Sequence, residues 1–178
     1  PAGPSRRTAP RLPDGSRGPN GRAAIPLPHL SYTDGVSETD PQFPPRSRAL
    51  IDAMRERVVI ADGAMGTQLQ DAAPTLDDFQ GLEGCNEILN VSRPDVIRKI
   101  HDDYLATGLD AVETNTFGAN WSNLGDYGID DRIEEISEAG ARIAREAVDA
   151  AEEADGRMRW VLGSIGPGTK LPSLGHTS

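Results

Sequence analysis

Three short stretches of this sequence gather small, polar and glycine residues where strands of a parallel sheet would end. They are Asp62-Gly63-Ala64-Met65-Gly66-Thr67, Glu113-Thr114-Asn115-Thr116-Phe117-Gly118 and Gly163-Ser164-Ile165-Gly166-Pro167. The first sets a carboxylate at a strand tip ahead of a run of backbone amides, which suits a ligand carrying both an ammonium and a carboxylate. Asp62 would pair the cation, and the amides between Ala64 and Thr67 would cradle the anion as a backbone nest does. An amino acid is the simplest such ligand. Each stretch also has a plainer use. Asp62-Gly63 suits an ordinary strand-to-turn stop, Asn115 and Thr116 can cap the next turn, Glu113 can be a solvent-facing acid, and Gly166-Pro167 can be a turn without a ligand. The coincidence of three polar ends is what favours a site.

The elements that would position these ends alternate in type. Arg48 to Arg57 has Leu50, Ile51 and Met54 on one side and reads as a short amphipathic helix. Val58-Val59-Ile60-Ala61 is a β-branched run ended by Asp62-Gly63, with the length and flanks of a buried parallel strand. Ala64 to Leu69 then reads as a turn, and Gln70 to Gly84 as a polar loop. A helix is expected from Ser92 as its cap, with Pro94 and Asp95 in the first turn and Gly108 as its stop. Its apolar positions are Val96, Ile97, Ile100, Tyr104 and Leu105. A second strand follows at Ala111 to Thr114. Asp130 to Ala154 is the clearest helix, with Ile133, Ile136, Gly140, Ile143 and Ala147 on one face and acids at its positive end. Trp160 to Ile165 is a third strand. Strand, helix, strand, helix, strand is the order of a parallel α/β sheet, whose ligands lie at the carboxyl ends of the strands.

Composition sets the boundaries. Ten of the 14 prolines fall at or before Pro45, so residues 1–48 are expected to form a disordered tail rich in Pro, Gly and Arg, and residues 49–178 the folded part. The tail carries seven arginines against four acids, while the remainder carries 11 basic and 24 acidic residues. A body so acidic repels phosphate backbones, which argues against nucleic acid as a partner. No apolar run approaches the roughly 20 residues of a bilayer span, and no signal-peptide stretch is evident, so no membrane partner and a cytoplasmic setting are expected. The single cysteine, Cys85, excludes an internal disulfide framework. A first residue of Pro1 suggests a piece of something longer.

The strand ends, together with Cys85-Asn86-Glu87-Ile88-Leu89-Asn90, Pro94-Asp95-Val96-Ile97 and the extension of the second end through Ala119-Asn120, carry a resemblance. Five blocks in register from about residue 50 onward resemble the N-terminal homocysteine-binding module of the cobalamin-dependent methionine synthases, within the homocysteine S-methyltransferase family. What the resemblance implies is a (β/α)8 TIM barrel that binds homocysteine over zinc and moves a methyl group to its sulfur from methylcobalamin, itself charged from methyltetrahydrofolate. By the same resemblance Asp62 would hold the homocysteine ammonium and the backbone around Ala64, Met65, Gly66 and Thr67 its carboxylate, with Gly63 among the substrate-binding residues. Glu87 and Asn115 would line the mouth, with Thr116 and Gly166 shaping it.

The sequence departs from the family at the metal. The family's zinc ligands are three cysteines well downstream of the third strand, and none is present. Cys85 is expected to be a small buried hydrophobe and His101 a packing or surface residue. Only about three of eight β/α units are counted, against a barrel of typically about 250 residues. The leading expectation is therefore a truncated methionine synthase, inactive by itself, whose partners are homocysteine, the rest of the barrel and the folate and cobalamin domains. A fragment of a betaine- or methylsulfonium-dependent homocysteine methyltransferase comes next, and a non-catalytic amino-acid-binding remnant last.

Overall fold

Helix α1, Pro45–Glu56, opens the part of the protein described by the computed structural model, residues 44–170. The expected disordered tail falls outside the described residues up to residue 43, and over residues 45–48 it is corrected: the chain there is already helical. Proline is tolerated at the first helical position because its missing N–H is one of the unsatisfied donors anyway, so Pro45 starts the helix that it would break further in.

The first strand end leads into a helix where the sequence suggests a turn. Helix α2, Met65–Ala72, ends at Ala73 in a left-handed conformation. Its one buried residue, Leu69, packs with Leu89, Ile97, Ile100 and Ile143, and that burial stabilises a helix that Gly66 alone would disfavour. A 3-10 turn over Asn86–Ile88 runs into α3, Leu89–Ser92, and then α4, Pro94–Ala106. Ser92 is not the cap of α4. It closes α3 with its hydroxyl donating to the Ile88 carbonyl at 3.1 Å, while Arg93 takes the cap position ahead of Pro94.

Strand β1, Ala111–Glu113, is followed by α5, Trp121–Asp126, then α6, Ile133–Asp155, and strand β2, Trp160–Leu162. The two strands are parallel, with Val112 opposite Val161. The expected strand at Val58 to Ala61 is reduced to one parallel bridge, Ala61 to Ala111, extended by hydrogen bonds from Asp110 and Ala111 amides to the Ile60 carbonyl and from the Asp62 amide to the Ala111 carbonyl. It is also not buried, since Val58 is 81% and Ile60 59% exposed. Only its β1 side is covered among the described residues, so the apolar run has one neighbour where a parallel strand wants two.

Helix α6 is the spine of the core. Its Ala144, Ala147 and Val148 pack with Leu105, Leu109 and Val112; its Ile143 joins the cluster around Leu69; its Ile136 meets Cys85, Ile88 and Leu124. Gly156, at φ 73°, ends it in the left-handed conformation that glycine adopts without strain. At the far end from the strand tips, Arg57 donates to both oxygens of buried Asp110 at 2.8 and 2.9 Å, and the Ile60 amide donates to Oδ2 at 3.0 Å. That cluster fixes the bridge at Ala61 against β1.

Candidate functional site

The carboxyl ends of the bridge, β1 and β2 meet around a cavity of about 320 Å³. Asp62, Gly63, Ala64 and Met65 form one wall, Glu113, Thr114, Asn115 and Phe117 a second, and Ser164 a third. Four of the six residues expected at the first strand end thus share the cavity. Gly66 opens instead on a separate hollow of about 280 Å³ beside Leu69 and Phe79. The Thr67 hydroxyl donates back to the Ala64 carbonyl at 3.2 Å.

Asp62 is half-buried, and its Oδ1 accepts the Glu113 amide at 3.0 Å. Burial pushes its carboxyl up to about 6; the Glu113 amide opposes the shift and the nearby Glu113 carboxylate adds to it. Across the turn, α2 starts at Ala64 with no side-chain cap, which leaves its first amides available to an anion. Tyr104 of α4 supports this turn from below: its hydroxyl lies 3.4 Å from the Ala64 carbonyl, and a Cβ at Gly63 would sit 3.2 Å from it.

The second and third strand ends are knitted by hydroxyls. The Ser164 amide donates to Thr114 Oγ1 at 3.0 Å, the two threonine hydroxyls of residues 114 and 116 lie 2.6 Å apart, and Thr116 Oγ1 donates to the Ser164 carbonyl at 2.8 Å. Each hydroxyl has one proton, so Thr114 must be the donor to Thr116, and the three bonds close a ring. Thr116 and Gly166 therefore brace the wall from a neighbouring hollow of about 270 Å³. The Gly166 amide donates to the Phe117 carbonyl at 3.0 Å, and a Cβ at Gly166 would run into that oxygen.

Asn115 lines the cavity and is anchored from behind, whereas Glu87 lies behind its face. Asn115 Nδ2 donates to the Asn86 carbonyl and to Asn90 Oδ1, both at 2.9 Å, and Asn90 Nδ2 returns bonds to the Asn115 and Ile136 carbonyls at 2.8 and 3.1 Å. Glu87 is buried and does not line the cavity; its Oε1 accepts the Gly118 amide at 2.7 Å. Sequence reasoning omits Glu113, Thr114, Phe117 and Ser164 from the binding residues. The available signal was their place in the same polar strand ends.

The described residues do not fit a zinc site. Among them no group of three or more His, Cys, Asp or Glu could hold a metal ion. Cys85 is fully buried among Ile88, Leu124 and Ile136, where burial pushes its thiol up. His101 is fully buried with both ring nitrogens unpartnered, and burial pushes it down to about 4, so it is neutral at pH 7. Among the described residues no helix is long and apolar enough to cross a membrane.

Comparison with known proteins adds a second line. Residues 59–178 match the homocysteine S-methyltransferase family. Over 128 residues, 72% of the chain, the sequence is 63% identical to methionine synthase of Mycobacterium tuberculosis and 61% identical to that of Mycobacterium leprae. Those matches cover 11% and 10% of the two relatives, so the chain spans about a tenth of the length of the curated relatives it matches. Among solved structures it is similar to the Escherichia coli homocysteine methyltransferase MmuM in its metallated and oxidized forms. The TM-score is 0.54 at 25% identity, over 68% of this chain and 41% and 40% of those chains.

Proposed function

The chain belongs to the homocysteine S-methyltransferase family, and from that premise we propose that its cavity receives the amino-acid end of homocysteine in a methyl transfer that yields methionine. In this reading residues 49–178 are about the first three β/α units of a (β/α)8 barrel, preceded by an unstructured segment. Asp62 pairs the ammonium, and the first amides of α2, with the Gly63 to Thr67 backbone around them, take the carboxylate. Asn115, Thr116, Gly166 and Glu87 hold the walls in place. The identity of 61 to 63% to methionine synthases, against 25% to MmuM, favours a methylcobalamin donor charged from methyltetrahydrofolate over a cobalamin-independent one.

The zinc that this reading implies finds no ligand set among the described residues; in this reading zinc belongs with the rest of a barrel, and cobalamin with the folate and cobalamin domains of a cytoplasmic enzyme. The chain by itself neither binds zinc nor transfers methyl groups. What its own residues contribute in this reading is recognition: a carboxylate and the uncapped start of a helix on one small cavity.

The observation that carries the reading is that Asp62 and the uncapped start of α2 face the same cavity of about 320 Å³. Titration of the ¹⁵N-labelled chain with L-homocysteine tests it. Shifts are expected at the amides of Gly63 to Thr67 and of Glu113, with a dissociation constant on the order of 1 mM, because only part of the site is present. Asp62→Asn should weaken binding about tenfold. Silence at Ala64 to Thr67 would remove the reading. Calorimetric titration with zinc, then homocysteine, is expected to show no tight stoichiometric uptake, and tight uptake would overturn the statement that the isolated chain lacks a metal site.

A further inference from the structure

The cavity contains a second carboxylate to which the amino-acid reading gives no task. Glu113 ends β1 and lines the same cavity as Asp62, and it is exposed there, as the sequence suits a strand-end acid to be. It is not loose. Its Oε2 accepts the Ser164 hydroxyl at 3.1 Å, and its own amide donates to Asp62 Oδ1 at 3.0 Å. Ser164 is fixed in turn at both backbone groups by the threonine ring. The three strand ends therefore converge on two acids, one from the bridge and one from β1, with the β2 end serving as the anchor.

Among the described residues lining the cavity those acids are the only charged groups, with no lysine or arginine to offset them. The Glu113 carboxylate adds to the cost of ionising Asp62, and a cation placed between the two acids removes that part of the cost. A primary ammonium carries three N–H donors. Asp62 already accepts a backbone amide on Oδ1, so one carboxylate leaves the ammonium underused, and Glu113 has its Oε1 to offer because Ser164 occupies Oε2.

We propose that Glu113 is a second ammonium-binding residue of this site, held in position by Ser164, and that the pair with Asp62 selects α-amino acids over amine-free analogues. The inference rests on the amino-acid reading above and can fail separately from it.

The test compares L-homocysteine with 4-mercaptobutyrate, which keeps the thiol and carboxylate and lacks the amine. Both are titrated by NMR into the full chain and into Glu113→Gln, Ser164→Ala and Ser164→Thr. Glu113→Gln should weaken homocysteine about five- to tenfold, leave 4-mercaptobutyrate equal or tighter, and lower the pH at which the Asp62 carboxyl titrates in the free protein. Ser164→Ala keeps the charge and loses the anchor, so a two- to threefold loss is expected, with the Asp62 midpoint nearly unmoved; Ser164→Thr should restore affinity. Homocysteine binding that Glu113→Gln leaves unchanged, with an unmoved Asp62 midpoint, would overturn the role of Glu113 and leave the amino-acid reading standing. Equal loss of both ligands would make Glu113 merely structural and overturn the selectivity. No binding of homocysteine to the wild-type chain would sink both.

Discussion

Replacing Gly140 by alanine should destabilise this protein, although helix propensity points the other way. Gly140 lies inside α6, where alanine is favoured over glycine by about 1 kcal/mol in an exposed helix. A Cβ there would stand 2.7 Å from Asn90 Nδ2 and 2.8 Å from Thr116 Cγ2, so each neighbour must retreat by more than half an ångström to regain ordinary contact. Thr116 is tied into the hydroxyl ring and cannot swing away freely. Asn90 Nδ2 makes two hydrogen bonds in a buried setting, to the Asn115 and Ile136 carbonyls, and breaking them leaves unsatisfied groups at about 1 to 3 kcal/mol each. Set against the propensity gain, the net expected loss is about 2 kcal/mol. Urea unfolding followed by circular dichroism measures it, and the side-chain amide resonances of Asn90 and Asn115 should shift in the same variant. A Gly140→Ala protein as stable as wild type, with those resonances unmoved, would refute the claim that α6 is registered against the site through this contact.

Four further outcomes follow from buried and half-buried groups. Asp110→Ala removes the acceptor shared by Arg57 and the Ile60 amide and should cost about 2 kcal/mol by urea unfolding, a modest figure because Arg57 is half exposed. Arg57 holds the Asp110 carboxyl below its ordinary value, so its contribution is present above about pH 4 and disappears as pH falls through the depressed value. His101 titrates the opposite way from a paired histidine: the unfolded chain takes up a proton near 6.5 and the folded one only near 4, so stability should fall by up to about 3 kcal/mol across that window on acidification, and His101→Leu should flatten the slope. Ellman's reagent should leave Cys85 unmodified in the folded protein and label it fully in urea, and rapid labelling without denaturant would contradict its place in the core. Homocysteine affinity should drop about tenfold between pH 7 and pH 5, because Asp62 must be ionised to hold an ammonium and its carboxyl sits at about 6; an affinity flat over that range would contradict the assignment.

What the sequence makes legible here is local, and what it hides is held by distant partners. Helix α6 is readable because Ile136, Ile143 and Ala147 recur at helical spacing among charged residues, and Asp62 because a carboxylate before a glycine turn is a pattern within a few residues. Helix α2 is hidden by Gly63 and Gly66, which signal a turn; only the burial of Leu69 against α3, α4 and α6 makes the helix worthwhile. Helix α5 is six residues long, too short for periodicity to show, and its one local sign is Asn120, whose Oδ1 caps the Asn123 amide at 2.9 Å. The run Val58-Val59-Ile60 reads as a buried strand because β-branched residues favour one, yet burial depends on what lies on both flanks, and a run of three residues carries no record of its neighbours.

The same division runs through the site. Glu87 sits in a motif that resembles the family's, which is enough to mark it and not enough to place it. Its Oε1 is engaged by the Gly118 amide 31 residues away, a contact no spacing rule reaches. Glu113 and Ser164 are 51 residues apart and meet only because β1 and β2 lie side by side in parallel with their ends level. A parallel sheet therefore does two things for this chemistry. It delivers residues from separate strand ends to one edge, and it fixes their relative height to within a hydrogen bond, so a serine on one strand can set the carboxylate of another. Residues that a sequence scan weighs singly as turn formers meet at that edge as one unit, and on the proposed reading the unit's negative charge, more than any one member, would direct an ammonium into the cavity.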